Sequence, residues 1–278
     1  MQGMDAGMNV LPIEHGEACA PLLQGLWESV RSEQQEILLS PYLPASFAFL
    51  THVLLCAPFL VLDALGSVCQ RVHSWRISAG SGHPPSLRCW LNCFWRVLYG
   101  YLTCILPATA LFHWLRSPAL PQMAPSCWQL FVEVFACLLL FDTLFFILHV
   151  TMHWVPWLYR NTHQLHHQHH TPFALAAQDS GSLELLSLLL LALSSAWVVG
   201  CHPLSEAFFH LINSWLAVED HCGYDLPWAL HRLLPCLGGA PHHQAHHTLY
   251  SVNYAPYFIH WDVLFGTYRA PVQKSRPK

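Results

Sequence analysis

The sequence predicts an all-α integral membrane protein. Hydrophobic residues make up 54% of the 278 residues and charged residues only 10%, a composition too apolar for an ordinary soluble domain. The apolar residues gather in stretches long enough to cross a bilayer as helices. In addition, 16 of the 21 histidines lie after residue 148, in clusters. We therefore expect three to five membrane helices or re-entrant hairpins, with a cytosolic-facing helical cap that carries the histidine clusters.

Three stretches are the expected transmembrane helices. Residues 43–66 contain a single charge near their end, and residues 97–115 have aromatic side chains at both ends, as is typical where rings lie at the headgroup level. The third stretch, 128–148, contains Asp142, and a carboxylate at membrane depth usually faces a protein interior or a site. Asp142 precedes His149 by two helical turns, so we expect it to orient a ligand histidine.

Two further apolar segments, 185–200 and 203–218, are separated only by a short Cys-His-Pro turn. This separation favours a helical membrane hairpin at about 185–218 over two independent crossings. A re-entrant pair of helices is the alternative.

The positions of the arginines predict the orientation. The loop after the first span carries Arg71, Arg76 and Arg88, whereas the loop after the second carries only Arg116 between its ends. Because basic loops tend to stay in the cytosol, the first of these loops is expected to be cytosolic. Three crossings then place everything after about residue 148 on the cytosolic side.

This orientation divides the chain into regions. Residues 1–40 form a lumenal N-terminal segment without the basic start of a cleaved signal peptide, and residues 41–150 hold the first three transmembrane helices. Residues 271–278 form a cytosolic tail whose basic residues resemble a retrieval signal of the endoplasmic reticulum. The expected location is therefore the endoplasmic reticulum membrane. With 12 basic against 16 acidic residues, no nucleic-acid partner is expected.

The histidines form three clusters with helical spacing. The first is a pair four residues apart, and the other two follow the pattern H-x-x-H-H, which places all three histidines of a box on one side of a helix. Eight imidazoles exceed what one ion can coordinate, so two metal ions are implied, and iron, zinc and copper all suit imidazole ligands. The candidate ligands are His149, His153, His163, His166, His167, His243, His246 and His247.

The second box has two possible registers. His163-Gln-Leu-His166-His167 satisfies the pattern, and so does His166-His167-Gln-His169-His170. Spacing alone leaves both open.

Three ordered histidine boxes after membrane spans resemble the fatty acid hydroxylase and sterol desaturase superfamily of membrane di-iron enzymes. Within it, the segments VPWLYR at 155–160, VEDHCGY at 218–224 and APYFIHWD at 255–262 are similar to those of sterol side-chain hydroxylases. The resemblance implies that residues 149–270, including the hairpin, form a di-iron catalytic region.

The resemblance also bears on individual residues. VPWLYR fixes the second box at its first register, and the EDH segment makes His221 a further metal ligand, with His242 another candidate. Gln244 stands in the third box where the family often has aspartate, so any contact of that carboxylate with a ligand histidine is expected to be lost or altered.

The implied reaction is hydroxylation of a sterol side chain, specifically of cholesterol to 25-hydroxycholesterol, with O₂ and two electrons. The chain has no G-x-G-x-x-G fingerprint for a flavin or nicotinamide cofactor, so an external NADPH-linked reductase or cytochrome b5 is expected to supply the electrons. The sterol should arrive through the bilayer. Candidate cavity-lining residues are Trp197, Phe208, Phe209, Asn213, Trp215 and Trp228.

Two alternatives stay open at this point. The same centre could serve a C4-methyl sterol oxidase, or another sterol or fatty acid hydroxylase or desaturase. The chain could also be a non-catalytic, histidine-rich membrane protein that binds a metal or a sterol.

Overall fold

The computed structural model describes residues 20–77, 83–116 and 119–270, and within these ranges the chain is helical, without a β-strand. The predicted all-α class is therefore confirmed. The predicted tail, 271–278, and the first 19 residues of the N-terminal segment lie outside the described residues. The main helices are α1 (Ala20–Glu33), α2 (Leu43–Gly66), α3 (Leu87–Leu115), α4 (Cys127–Trp154), α5 (Ser182–Val199), α6 (Pro203–His221), α7 (Gly239–Leu249) and α8 (His260–Phe265).

Four of these helices, α2 to α5, are long and apolar enough to span a membrane. Helix α2 has the bounds that the sequence predicts, but α3 starts ten residues before the predicted 97. This extension contains Arg96, whose guanidinium pairs with the buried carboxylate of Asp179. Because the charge is paired within the protein, the helix extends beyond its apolar stretch.

The ends of the helices have local causes. Ser86 and Ser126 cap α3 and α4 by accepting backbone N–H bonds from Cys89 and Gln129. Within α3, a π-helical turn at Tyr101–Ile105 precedes a proline, which cannot donate to the helical hydrogen-bond ladder.

Helices α5 and α6 form a hairpin around a short turn, and its insertion into the membrane as a unit stays a prediction. Gly200, in the left-handed conformation with φ of 68°, ends α5, and His202 caps α6 by accepting the N–H of Leu204. The tip of the hairpin contacts α1 and α4: the ring of Trp27 lies 4.8 Å from that of His202, and Glu133 accepts the backbone N–H of His202 at 3.0 Å. The hairpin thus runs the length of the helical bundle.

At the opposite end of the bundle, a buried carboxylate joins three parts of the chain. Asp63 accepts hydrogen bonds from Arg76 at 3.0 Å, from the indole of Trp90 at 3.0 Å and from the hydroxyl of Tyr224 at 2.7 Å. These bonds compensate for the burial of the charge and fix the chain that follows α6 against α2 and α3. All the histidine boxes lie at this end of the bundle.

Candidate metal centre

Nine buried or half-buried histidines lie together in two groups. Within each group the candidate ligand nitrogens all lie within 4.8 Å of one another. The five-histidine group contains His149, His153, His163, His167 and His246. The four-histidine group contains His166, His221, His243 and His247.

Each H-x-x-H-H box contributes to both groups. In the third box, on α7, His243 and His247 belong to the four-histidine group and His246 to the five-histidine group. In the second box, His166 belongs to the four-histidine group, and the other two histidines belong to the five-histidine group. Residues four apart on a helix point to nearly the same side, whereas neighbours such as His246 and His247 point about 100° apart. The three histidines of a box, which the spacing predicts on a single helical face, are therefore divided between the two groups.

Helix α6 supplies a candidate ligand that lies outside the boxes. His221 is its last residue, and its Nε2 lies 3.1 Å from Nε2 of His166 and 3.0 Å from Nε2 of His243. Its Nδ1 donates to the carbonyl of Ala217 at 2.8 Å. The structure thus places His221, which lies outside the boxes, inside the four-histidine group.

Hydrogen bonds on the far side of the rings define which nitrogen is free. A carbonyl oxygen can only accept, so Nδ1 carries the proton in His149, bonded to the carbonyl of Tyr254 at 2.6 Å, and in His246, bonded to the carbonyl of Val252 at 2.8 Å. Nδ1 of His163 donates to Glu184 at 2.8 Å. In each neutral ring Nε2 is left with a lone pair that faces the other histidines.

The Nε2 atoms of neighbouring rings approach one another closely. Nε2 of His149 lies 2.9 Å from Nε2 of His163, and Nε2 of His246 lies 3.1 Å from that of His167. In His149 and His163 both protons are on Nδ1, so two lone pairs face each other and repel unless a cation lies between them. Two nitrogens that bind one ion at about 2.1 Å and at right angles lie about 3.0 Å apart. The donor set therefore fits a metal ion in each group.

Burial keeps these rings neutral. Desolvation, followed by the charges of neighbouring histidines, lowers the pKa of His243, His246 and His247 well below its ordinary value. Burial, followed by the charges of His153, His221 and His170, lowers the pKa of His167 to about 3. Imidazoles with such pKa values are unprotonated at neutral pH, as a metal ligand must be.

Glu184 is a partner of the site that the boxes do not reveal. It lies in the first turn of α5, is 2% exposed, and its Oε1 accepts from His163. The sequence signal is a single carboxylate in an otherwise apolar helix, which marks a polar partner without identifying it.

Asp142 differs from its expected role. Instead of contacting a histidine, its Oδ1 accepts the backbone N–H groups of Tyr257 and Phe258, both at 3.0 Å. Asp262 accepts the N–H of Tyr254 and of the next residue in the same way. The two carboxylates hold residues 254–258, and Asp142 therefore acts on His149 only through the segment that provides the Tyr254 carbonyl.

His242 lies outside both groups. Its Nε2 is 3.4 Å from Oδ2 of Asp262, so the ring faces away from the other histidines of α7. The candidate ligand role is thus not supported by its position, because adjacent helical residues point in different directions. Gln244 is buried, and its expected effect on a ligand histidine stays a prediction.

The two surplus histidines of the second box also lie outside the groups. His169 donates to Asp179 at 2.7 Å, and His170 contacts the hydroxyl of Tyr250 at 2.9 Å. Although burial opposes it, the bonds from His169 and Arg96 lower the pKa of Asp179 to about 2. His169 and Asp179 also lie near Cys93 in a possible ligand cluster, but the pairing with Arg96 already balances the carboxylate.

A cavity of about 1040 Å³ reaches the centre from within the bundle. Five of the nine histidines line it, and its far end lies among α1, the start of α4 and the tip of the hairpin. Its volume is at the upper end of the range for small-molecule sites. The histidines that line it are His149, His163, His166, His221 and His243.

Of the six aromatic and polar residues expected to line the cavity, only Asn213 does so. Trp197 and Trp228 are 62% and 60% exposed, and Phe208, Phe209 and Trp215 pack against α4 and α5 in the apolar core. The expectation was wrong for these five because aromatic side chains in a membrane protein fill the core and its outer surface as readily as a cavity.

Known proteins share most of this chain. The Fatty acid hydroxylase family profile matches residues 134–267. Cholesterol 25-hydroxylase of Mus musculus is 46% identical over 261 residues, covering 91% of this chain and 85% of the relative. The Homo sapiens protein of the same name is 44% identical, with 91% and 93% covered. Methylsterol monooxygenase erg25A of Aspergillus fumigatus is 33% identical, with 82% and 78% covered. No solved structure matches the chain.

These relatives are named as hydroxylases and monooxygenases, and the matched region contains the three boxes and His221. The helices, the histidine groups and the extent of the match agree. The protein is an oxidoreductase with several membrane-spanning helices, and it belongs to the fatty acid hydroxylase family.

Proposed function

We propose that this protein is a di-iron monooxygenase that hydroxylates the side chain of a sterol, converting cholesterol to 25-hydroxycholesterol. The proposal includes the endoplasmic reticulum membrane as its location, with the histidine groups on the cytosolic face. It rests on the boxes, on the cavity and on the names of relatives at more than 40% identity.

One observation carries the metal part of the proposal. Within each of the two groups, Nε2 atoms of different histidines lie only 2.9–3.1 Å apart. Bound there, two iron ions would activate O₂ so that one oxygen atom enters a C–H bond and the other leaves as water. The five-histidine and four-histidine groups would each hold one ion.

The protein's own residues have three tasks in this scheme. Glu184 and the carbonyls of Tyr254 and Val252 keep the ligand Nε2 atoms unprotonated and oriented. The apolar lining of the cavity holds the sterol and excludes water. Residues of the cytosolic face would bind the NADPH-linked reductase or cytochrome b5, which supplies the two electrons that, with two protons, reduce the second oxygen atom to water.

The test is to express the chain with cholesterol, to identify oxysterols by mass spectrometry, and to compare a His166→Ala, His167→Ala double variant. We expect 25-hydroxycholesterol from the wild type and none from the variant, which removes one ligand from each group. Equal product from both proteins would refute the metal assignment.

The methylsterol monooxygenase relative supports a second candidate, oxidation of a C4 methyl group. Supplying 4-methyl sterols alongside cholesterol separates the two. Product from the methyl sterols alone would favour this second candidate.

A further inference from the structure

The cavity follows one side of α6 from end to end. Residues of α6 that line it recur every three or four positions, from Glu206 through His210 and Ala217 to His221. This spacing is that of a single helical face. A ligand in the cavity therefore lies along a straight helix with a metal-centre histidine at its last residue.

The far part of this face carries a polar pair. Nε2 of His210 lies 3.9 Å from Oε1 of Glu206, one turn away. That distance is too long for a hydrogen bond, but a hydroxyl oxygen about 2.8 Å from each atom can bridge them. The hydroxyl would donate to the carboxylate and accept from the imidazole.

The helix sets the distance from this pair to the metal centre. His210 and His221 are eleven residues apart, which at about 1.5 Å per residue is about 16 Å along the axis. In cholesterol, the ring hydroxyl oxygen and carbon 25 are joined through about 14 bonds of about 1.5 Å, which span roughly 16 Å when angled and folded into rings. The two lengths match.

We propose that Glu206 and His210 bind the ring hydroxyl of a sterol, and that the length of α6 between His210 and His221 determines which side-chain carbon is hydroxylated. This inference rests on the proposed function. It adds a second site to the cavity, distant from the histidine groups, that recognises a hydroxyl.

Ser214 and Asp220 also line the cavity but lie closer to His221, so the nearest competing polar residue on this face is Asn213. Its Oδ1 already accepts from the hydroxyl of Tyr257 at 2.9 Å. It also lies only about 12 Å before His221 along the axis, so a hydroxyl held there would carry carbon 25 past the histidines. The pair at His210 therefore suits the sterol hydroxyl better, because its polar atoms are not bonded to each other and its distance from His221 matches that between the hydroxyl and carbon 25.

The experiment combines variants with a modified substrate. Wild type, Glu206→Gln and His210→Ala are each given cholesterol and cholest-5-ene, which lacks the hydroxyl. Because a hydrogen bond to a charged or polar partner is lost, we expect KM for cholesterol to rise about tenfold in either variant, with product spread to neighbouring side-chain carbons. With cholest-5-ene, the variants should equal the wild type.

Controls separate this inference from the proposed function. His260→Ala removes an exposed histidine outside the cavity and should leave KM and the products unchanged for both substrates. Binding of radiolabelled cholesterol to the iron-loaded protein in nanodiscs, without an electron donor, should weaken about tenfold in His210→Ala, independently of turnover. The hydroxyl site is overturned if a variant loses activity equally on both sterols, or if this binding does not change. Wild-type iron protein that oxidises no sterol refutes the proposed function instead.

Discussion

The two histidine groups differ in how firmly their rings are held and in what they face. In the five-histidine group, His149, His163 and His246 each donate Nδ1 to a carbonyl or a carboxylate at 2.6–2.8 Å. In the four-histidine group only His221 has such a bond within the described part of the chain, where the Nδ1 atoms of His243 and His247 find no hydrogen-bond partner.

The cavity is in closer contact with the four-histidine group, whose rings are held less firmly. It is lined by three of the four histidines in the smaller group but by only two of the five in the larger. The larger group has more ligands and firmer orientation, whereas the smaller group has fewer ligands and more contact with the space for a substrate. If each group holds an ion, as proposed, this asymmetry predicts that the first group would anchor its ion and that the second would leave coordination positions accessible from the cavity.

The largest expected effect comes from removing one ligand of each group in turn. His246→Ala affects the five-histidine group and His247→Ala the four-histidine group, although the two residues are adjacent on α7. Each variant should lower hydroxylation at least about 100-fold, because loss of a direct ligand exceeds the effect of losing its hydrogen-bond partner. Iron per chain, measured by mass spectrometry of the purified protein, should fall from about two to about one in His247→Ala and by less in His246→Ala.

The two variants differ in detail. The four remaining ligands of the larger group should retain a weakly bound ion in His246→Ala, whereas His247→Ala leaves three and should lose its ion completely. Loss of both ions from both variants would show one shared site rather than two.

A smaller effect is expected from the partner that fixes His163. Glu184→Gln keeps the shape but can present an N–H to Nδ1, which would favour the wrong tautomer. Iron affinity of the five-histidine group should fall about 10- to 100-fold, with activity following it. A chelator titration measures the affinity. Unchanged affinity in Glu184→Gln would mean that Glu184 does not act through His163.

A weaker effect still is expected at the matching position of the four-histidine group. Ser180 lies 3.3 Å from Nδ1 of His166, a longer contact than that of Glu184 with His163. Ser180→Ala should reduce iron affinity by about threefold or less, since a neutral bond at this distance contributes little. An effect as large as that of Glu184→Gln would contradict the difference in firmness between the groups.

Much of this architecture can be predicted from the sequence. Apolar length identifies the membrane helices, and the boxes identify eight of the nine clustered histidines, because both patterns are local. The division of each box between two groups is not local, since it depends on where α4 and α6 lie around α7. The spacing of the histidines does not identify His221 as a candidate ligand; only the resemblance to known enzymes does.

The partners of the histidines are harder to predict, because three of them are backbone carbonyls, those of Ala217, Val252 and Tyr254. The turn after α7 places Tyr250 and Asn253 at positive φ, 64° and 56°, and Asn253 bonds to the carbonyls of His242 and Arg269. This turn directs the carbonyls of Val252 and Tyr254 toward the rings. A carbonyl has no sequence signature, so only the folded turn reveals these contacts.

The smallest effect on metal is expected for His242, the one histidine of α7 that points away from both groups. Its ring lies 3.4 Å from the buried carboxylate of Asp262, which in turn holds the backbone of Tyr254. His242→Ala should leave about two irons per chain, yet lower the free energy of unfolding by about 1–2 kcal/mol by removing a neighbour of a buried charge. Iron analysis and thermal unfolding in detergent measure the two quantities. Loss of an iron with unchanged unfolding would make His242 a ligand after all and would place all four histidines of α7 in the centre.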